Sequence, residues 1–143
     1  MDAAYLQSHF IALDLPPEAQ EYLLDLWQVI QFLDDAQDGD AIAPARVNAA
    51  AWAIFARMPL NSFYRNCMTT LQPLLAMQLI KWEAANAAEA LGKADARSYM
   101  WRAGYYEIVA MACHLCGKDA REGLALYGET FAQYREEFQC QGL

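Results

Sequence analysis

The sequence predicts an all-α fold, a bundle of five or six helices forming a single helical domain over residues 1–143, and three observations support it. Between its glycines and prolines the chain is mostly Ala, Leu, Glu, Gln, Met and aromatics, a mixture that favours helix and contains little β-branching. Apolar residues recur three and four positions apart rather than alternating. Most of the segments so marked also begin at a proline or a capping residue, or end at a glycine or proline.

Tyr5, Leu6, His9 and Phe10 suggest a short first helix ended by Leu15-Pro16, because the residue before proline is biased away from helix. Pro16-Pro17-Glu18 then starts a second helix that runs to about Asp38 and is closed by Gly39. Pro44 opens a third, to about Arg57, with Val47, Ala50, Ala51, Ile54 and Phe55 as a one-sided stripe and Met58-Pro59 as its end. Asn61 or Ser62 caps a long fourth helix to about Leu91, inside which Pro73 predicts either a kink or a junction. Asp95 is placed to cap a fifth helix, about 95–116, that is apolar nearly all round and therefore central. Asp119 and Glu122 form a capping-box pattern for a last helix to about Phe138.

The balance of 10 basic against 18 acidic residues gives a net charge of −8, which disfavours nucleic acid and anionic membrane surfaces. It suits a basic surface on another protein. No run of about 18 uncharged apolar residues occurs and the start MDAAYLQSHF lacks a basic flank, so a cytoplasmic location is expected. Cys67, Cys113, Cys116 and Cys140 are then expected as free thiols, and the lone Cys-x-x-Cys at 113–116 as buried thiols beside a core histidine rather than a zinc site. The four tryptophans are expected in the core or at its edge.

The most unusual stretch is WQVIQFLDDAQDGD, Trp27 to Asp40. Asp34 and Asp38 continue the line of Leu23, Trp27 and Ile30, so carboxylates stand where core residues are due and where negative charge opposes the helix macrodipole. A plain account makes them a helix end running into a solvated loop. A second account is a buried ion pair between Asp34 and Arg102, whose charge interrupts the apolar fifth helix. Glu107 interrupts the same helix but points away from Arg102, so each needs a partner on another helix. A third account is metal binding: hard oxygens one turn apart suit Mg²⁺, and Asp34, Asp38, Glu83 and Glu107 are the candidate ligands. No cofactor is expected otherwise.

Asp34-Asp35-x-x-Asp38 has a local similarity to the aspartate motif of isoprenoid diphosphate synthases, and the chain resembles in part the all-α nucleotide pyrophosphohydrolases. The second of these would imply a Mg²⁺-dependent phosphohydrolase, with Glu83, Asn86 and Glu89 on the other acidic helix, although Asn86 stands where that family has an acid. A longer resemblance rests on WQVIQFLDDAQDGD, MPLNSFYRN, KWEAANAAE, SYMWRAGYYEIV and LYGETFAQY. Together these are similar to a family of small bacteriophage and prophage proteins without an assigned activity. That resemblance implies a phage origin and one shared site formed by Asp34, Asp35, Asp38, Tyr99, Arg102 and Glu107. The expected function is binding, to a protein partner or a small molecule, with phosphohydrolysis as the alternative. Oligomeric state is open.

Overall fold

A computed structural model describes residues 2–126 and 128–138, and among them every regular element is helical. The chain forms two compact units, Asp2–Met68 and the residues from Thr69 onward. No helix of the described residues is long and apolar enough to cross a membrane.

The N-terminal unit is built on α2 (Pro17–Gln37). Helix α1 (Ala3–Ala12) is capped by the Asp2 carboxylate, which accepts from the Tyr5 N–H at 2.8 Å, and it packs on α2 with Leu6 and Phe10 fully buried. Helix α2 starts after Pro16, as the paired prolines suggest, and Gly39 closes it in the left-handed region. Its buried face is Ala19, Tyr22, Leu23, Leu26 and Val29, whereas Trp27 and Ile30 are only half-buried. The core face is thus turned from the predicted stripe, and Asp34 lies at its margin, half-buried, instead of inside it.

The third predicted helix is realised in three pieces: α3 (Pro44–Trp52), a π-helical turn (Ala53–Arg57) and α4 (Met58–Leu60). Pro59 removes the N–H that the Phe55 carbonyl would accept in an α-helix, and the ladder widens in the turn just before it. The chain passes Met58-Pro59 as helix and ends at Asn61, whose backbone is extended. The expected stripe is corrected here. Ala50 and Ala53 face the core, while Val47, Ile54, Phe55 and Trp52 are exposed. Asn61 does cap α5 (Ser62–Ala90): its Oδ1 accepts from the Tyr64 N–H, and its amide donates to the Glu18 carbonyl of α2, both at 2.9 Å. Tyr22 stacks on Tyr64 with ring centroids 5.4 Å apart and meets Phe63 edge-on at 6.1 Å.

Helix α5 is continuous through Pro73, so of the two expectations a junction into separate helices is not realised. The C-terminal unit takes α5 from Thr69, then α6 (Ala96–Arg102), α7 (Gly104–Leu115), α8 (Ala120–Leu124) and α9 (Phe131–Glu137). Asp95 caps α6 in a full capping box with Ser98. The predicted central helix breaks at Ala103 into α6 and α7, and α7 carries the core with Tyr105, Ile108, Val109, Ala110, Ala112 and Cys113 buried. Helix α8 lies so close to α7 that a Cβ on Gly123 would stand 2.8 Å from the Ala110 backbone. The predicted last helix also breaks, between Leu124 and Phe131, and restarts at a second capping box, Thr130 with Gln133. That T-x-x-Q pattern is visible in the sequence.

Candidate functional site

Arg102 is the last residue of α6, and its guanidinium is turned onto α5. Nε donates to Glu89 Oε2 at 2.5 Å, one terminal nitrogen donates to Glu89 Oε1, and that same nitrogen donates to Asn86 Oδ1 at 2.6 Å. Asn86 and Glu89 are three residues apart on α5, so one helix face presents an amide and a carboxylate side by side. The fork of an arginine matches a carboxylate in this two-bond manner.

Glu89 is 7% exposed, which makes its charge dependent on these partners. Tyr134 of α9 supplies a further one, its Oη donating to Glu89 Oε2 at 2.8 Å. Ser98 Oγ lies 2.6 Å from Tyr134 Oη. Each hydroxyl has one proton and a second acceptor in reach, Glu89 for Tyr134 and the Asp95 carbonyl for Ser98, so either can be the donor in that contact. Ser98, Tyr134, Glu89 and Arg102 therefore form one connected polar chain linking α5, α6 and α9. Burial, above all, pushes the Tyr134 hydroxyl well above the ordinary tyrosine range.

Glu129 lies beside this chain, in the segment before α9. Burial in the first place, then the Glu137 carboxylate and a hydrogen bond with it, push the Glu129 carboxyl up to about 7. Arg102 opposes the rise and Glu89 adds to it. Tyr99 donates from its hydroxyl to the Glu129 backbone carbonyl at 2.7 Å, and its ring lies against Tyr134 and Phe131 at 5.6 and 5.3 Å. Of the predicted site residues, Tyr99 and Arg102 thus stand in one neighbourhood.

Glu107 is engaged elsewhere: both of its carboxylate oxygens accept from Lys81 Nζ, at 2.8 and 2.7 Å. Glu83 is exposed. In the N-terminal unit, Asp35 meets Arg46 at 2.7 Å, Asp34 and Asp35 are half-buried, and Asp38 and Asp40 are exposed. Among the described residues no three His, Cys, Asp or Glu side chains gather as a metal-holding group. Cys67, Cys113 and Cys116 are free thiols, and burial pushes the Cys113 thiol up to about 11. Cys140 lies outside the described residues. His114 is exposed instead of being a core histidine, and Trp52 is 66% exposed instead of core.

Sequence reasoning named Arg102 but not its partners. The spacing of Glu83, Asn86 and Glu89 suggests ligands for a cation from outside, and for Asn86 and Glu89 the Arg102 guanidinium occupies that role. Tyr134 carried one available signal, a tyrosine among the polar residues of AQYREE. Glu129 carried none. No family model, curated protein or solved structure matches this chain.

Proposed function

We propose that the chain acts by binding a protein, and that the acidic end of α2 meets a basic surface on that partner. The observation that carries this reading is the last turn of α2. Asp34 and Asp35 lie in it and Asp38 caps it, with no basic residue in that turn, at the helix end where the macrodipole favours cations. Asp38 and Asp40 are exposed there. A local arrangement that works against helix stability is a mark of function rather than folding. Arg46 already meets Asp35, so it is at the exposed Asp38 and Asp40 that lysine or arginine side chains from a partner relieve the repulsion among the carboxylates and their conflict with the dipole. A charge of −8 draws such a partner in over a distance.

The resemblance to bacteriophage proteins makes a bacterial host protein the natural partner and the host cytoplasm the place of action. The catalytic alternative, a Mg²⁺-dependent phosphohydrolase using Asp34, Asp38, Glu83 and Glu107, has Lys81 against it, since that cation already holds Glu107. Arg102 is closed on Glu89 within its own unit.

Zero-length carbodiimide coupling in a bacterial extract should join residues 34–40 to lysines of one protein, to be identified by mass spectrometry. Purified, that protein should bind the parent chain with an affinity that falls as salt rises. Asp38→Lys should weaken binding by tenfold or more, while raising helix stability by roughly 0.5 kcal/mol through the dipole. Unchanged binding to Asp38→Lys and to a double Asp34→Asn/Asp35→Asn variant would sink the assignment.

A further inference from the structure

Helix α3 and the π turn are inverted relative to an ordinary surface helix. Their buried residues are Ala50 and Ala53, and their large side chains point outward. Trp52 is 66% exposed, Phe55 83% and Leu60 just beyond 71%, with Val47 and Ile54 also exposed. Small residues sit among them, the exposed Ala45 and Ala51. An outward apolar face of this kind marks an interaction surface.

Charge identifies what covers it. From Ala41 to Met68 the sequence contains no Asp or Glu, although the whole chain carries 18. Two of the three arginines in that stretch are already paired, Arg46 with Asp35 at 2.7 Å and Arg57 with Asp25 at 3.0 Å. This face is therefore close to neutral on a molecule of charge −8. Two copies meeting by any acidic surface would repel, whereas meeting here they bring no carboxylate of the 41–68 stretch against another. A two-fold interface presents the same patch from both copies, so the exposed Trp52 and Phe55 and the small exposed Ala45 and Ala51 would all lie in it. Aromatic side chains of this size cover on the order of 150–250 Å² each. The exposed parts of these two with those of Val47, Ile54 and Leu60 supply more than half of the roughly 800 Å² per partner of a stable interface.

We propose that α3, the π turn and α4 form a two-fold dimer interface with a second copy of this chain, with Trp52 and Phe55 as its anchors.

Light scattering coupled to size exclusion, and sedimentation over a micromolar to sub-millimolar range, should find the parent chain dimeric. Association should strengthen when ionic strength rises from about 0.01 to about 0.15 M, because the Debye length shortens from about 30 to about 8 Å and the repulsion of two acidic copies is screened. Phe55→Glu and, separately, Ala51→Arg should weaken association by about 30-fold or more with unchanged helical circular dichroism. Ile11→Glu, the same type of change at a 61% exposed site on α1, should leave it unchanged. A parent chain that stays monomeric throughout overturns the proposal, as does equal weakening by Ile11→Glu and Phe55→Glu. So does a monomer that binds vesicles of phosphatidylcholine and phosphatidylglycerol through Trp52, which would assign the face to lipid.

Discussion

At the scale of single residues, the centre of the C-terminal unit is a charged group satisfied from several directions. Arg102 and Glu89 have exposures of 23% and 9% at their side chains, so removing one strands the other in a poorly solvated place. Arg102→Met or Glu89→Met alone should be destabilising by about 3 kcal/mol in urea unfolding, and the double variant should lose less than the sum of the two. Additive losses would show that the pair is not coupled. Glu129 adds a pH dependence whose sign follows from its raised value. A carboxyl that titrates near 7 in the folded chain and near 4.5 when unfolded holds its proton more tightly when folded. Its contribution is complete below the unfolded value and is lost as pH rises through about 7. Unfolding free energy should fall between about pH 5 and 7.5, and Glu129→Gln should flatten that slope. A slope of the opposite sign in the parent, or one untouched by the substitution, contradicts this account. Arg102 was legible in the sequence because a charge in an apolar helix needs a partner. That Glu89 and Asn86 are among its partners was not, since it depends on how α6 leaves α5, which no local pattern records.

At the scale of elements, helix starts were the most readable feature, because each is set by a few adjacent residues. Asp95, Asn61 and the paired prolines at 16 and 17 act as their chemistry predicts. Breaks inside apolar stretches were hidden. The interruption at Ala103 stands just before Gly104 and the widened turn at Ala53–Arg57 just before Pro59, while the residues around them keep a helical periodicity. The direction of α3 was misread for a related reason: a stripe of large apolar residues is ordinarily the buried one, and here alanines let the helix approach α2 closely with its small side. The same closeness recurs where α8 meets α7. Any side chain at position 123 would meet the Ala110 backbone, which cannot move aside as a flexible side chain can. Gly123→Ala should therefore be destabilising by about 2 kcal/mol or more despite adding a better helix former, and a variant as stable as the parent would mean that α8 does not dock this tightly.

At the scale of the molecule, the separation of charge is the main organising fact. Carboxylates crowd the end of α2 and the C-terminal half, while residues 41–68 have none, so one molecule offers both an acidic surface and a neutral apolar one. Binding and metal-dependent chemistry at the acidic surface differ in what a divalent cation does. Three or more converging carboxylates repel one another, and a cation that relieves the repulsion stabilises the folded state by about 2.7 kcal/mol at 100 times its dissociation constant. For a domain of this size that is a rise of several degrees in Tm. Here Glu107 has Lys81, Asp35 has Arg46 and Glu89 has Arg102, so the positive charge that a metal would bring is already supplied by the chain. Millimolar Mg²⁺ should accordingly shift the melting temperature no further than NaCl of equal ionic strength, since both then act only by screening a net charge of −8. An added rise of several degrees with Mg²⁺ that vanishes in Asp34→Asn would instead place a metal among the acids of α2 and favour the phosphohydrolase alternative over binding.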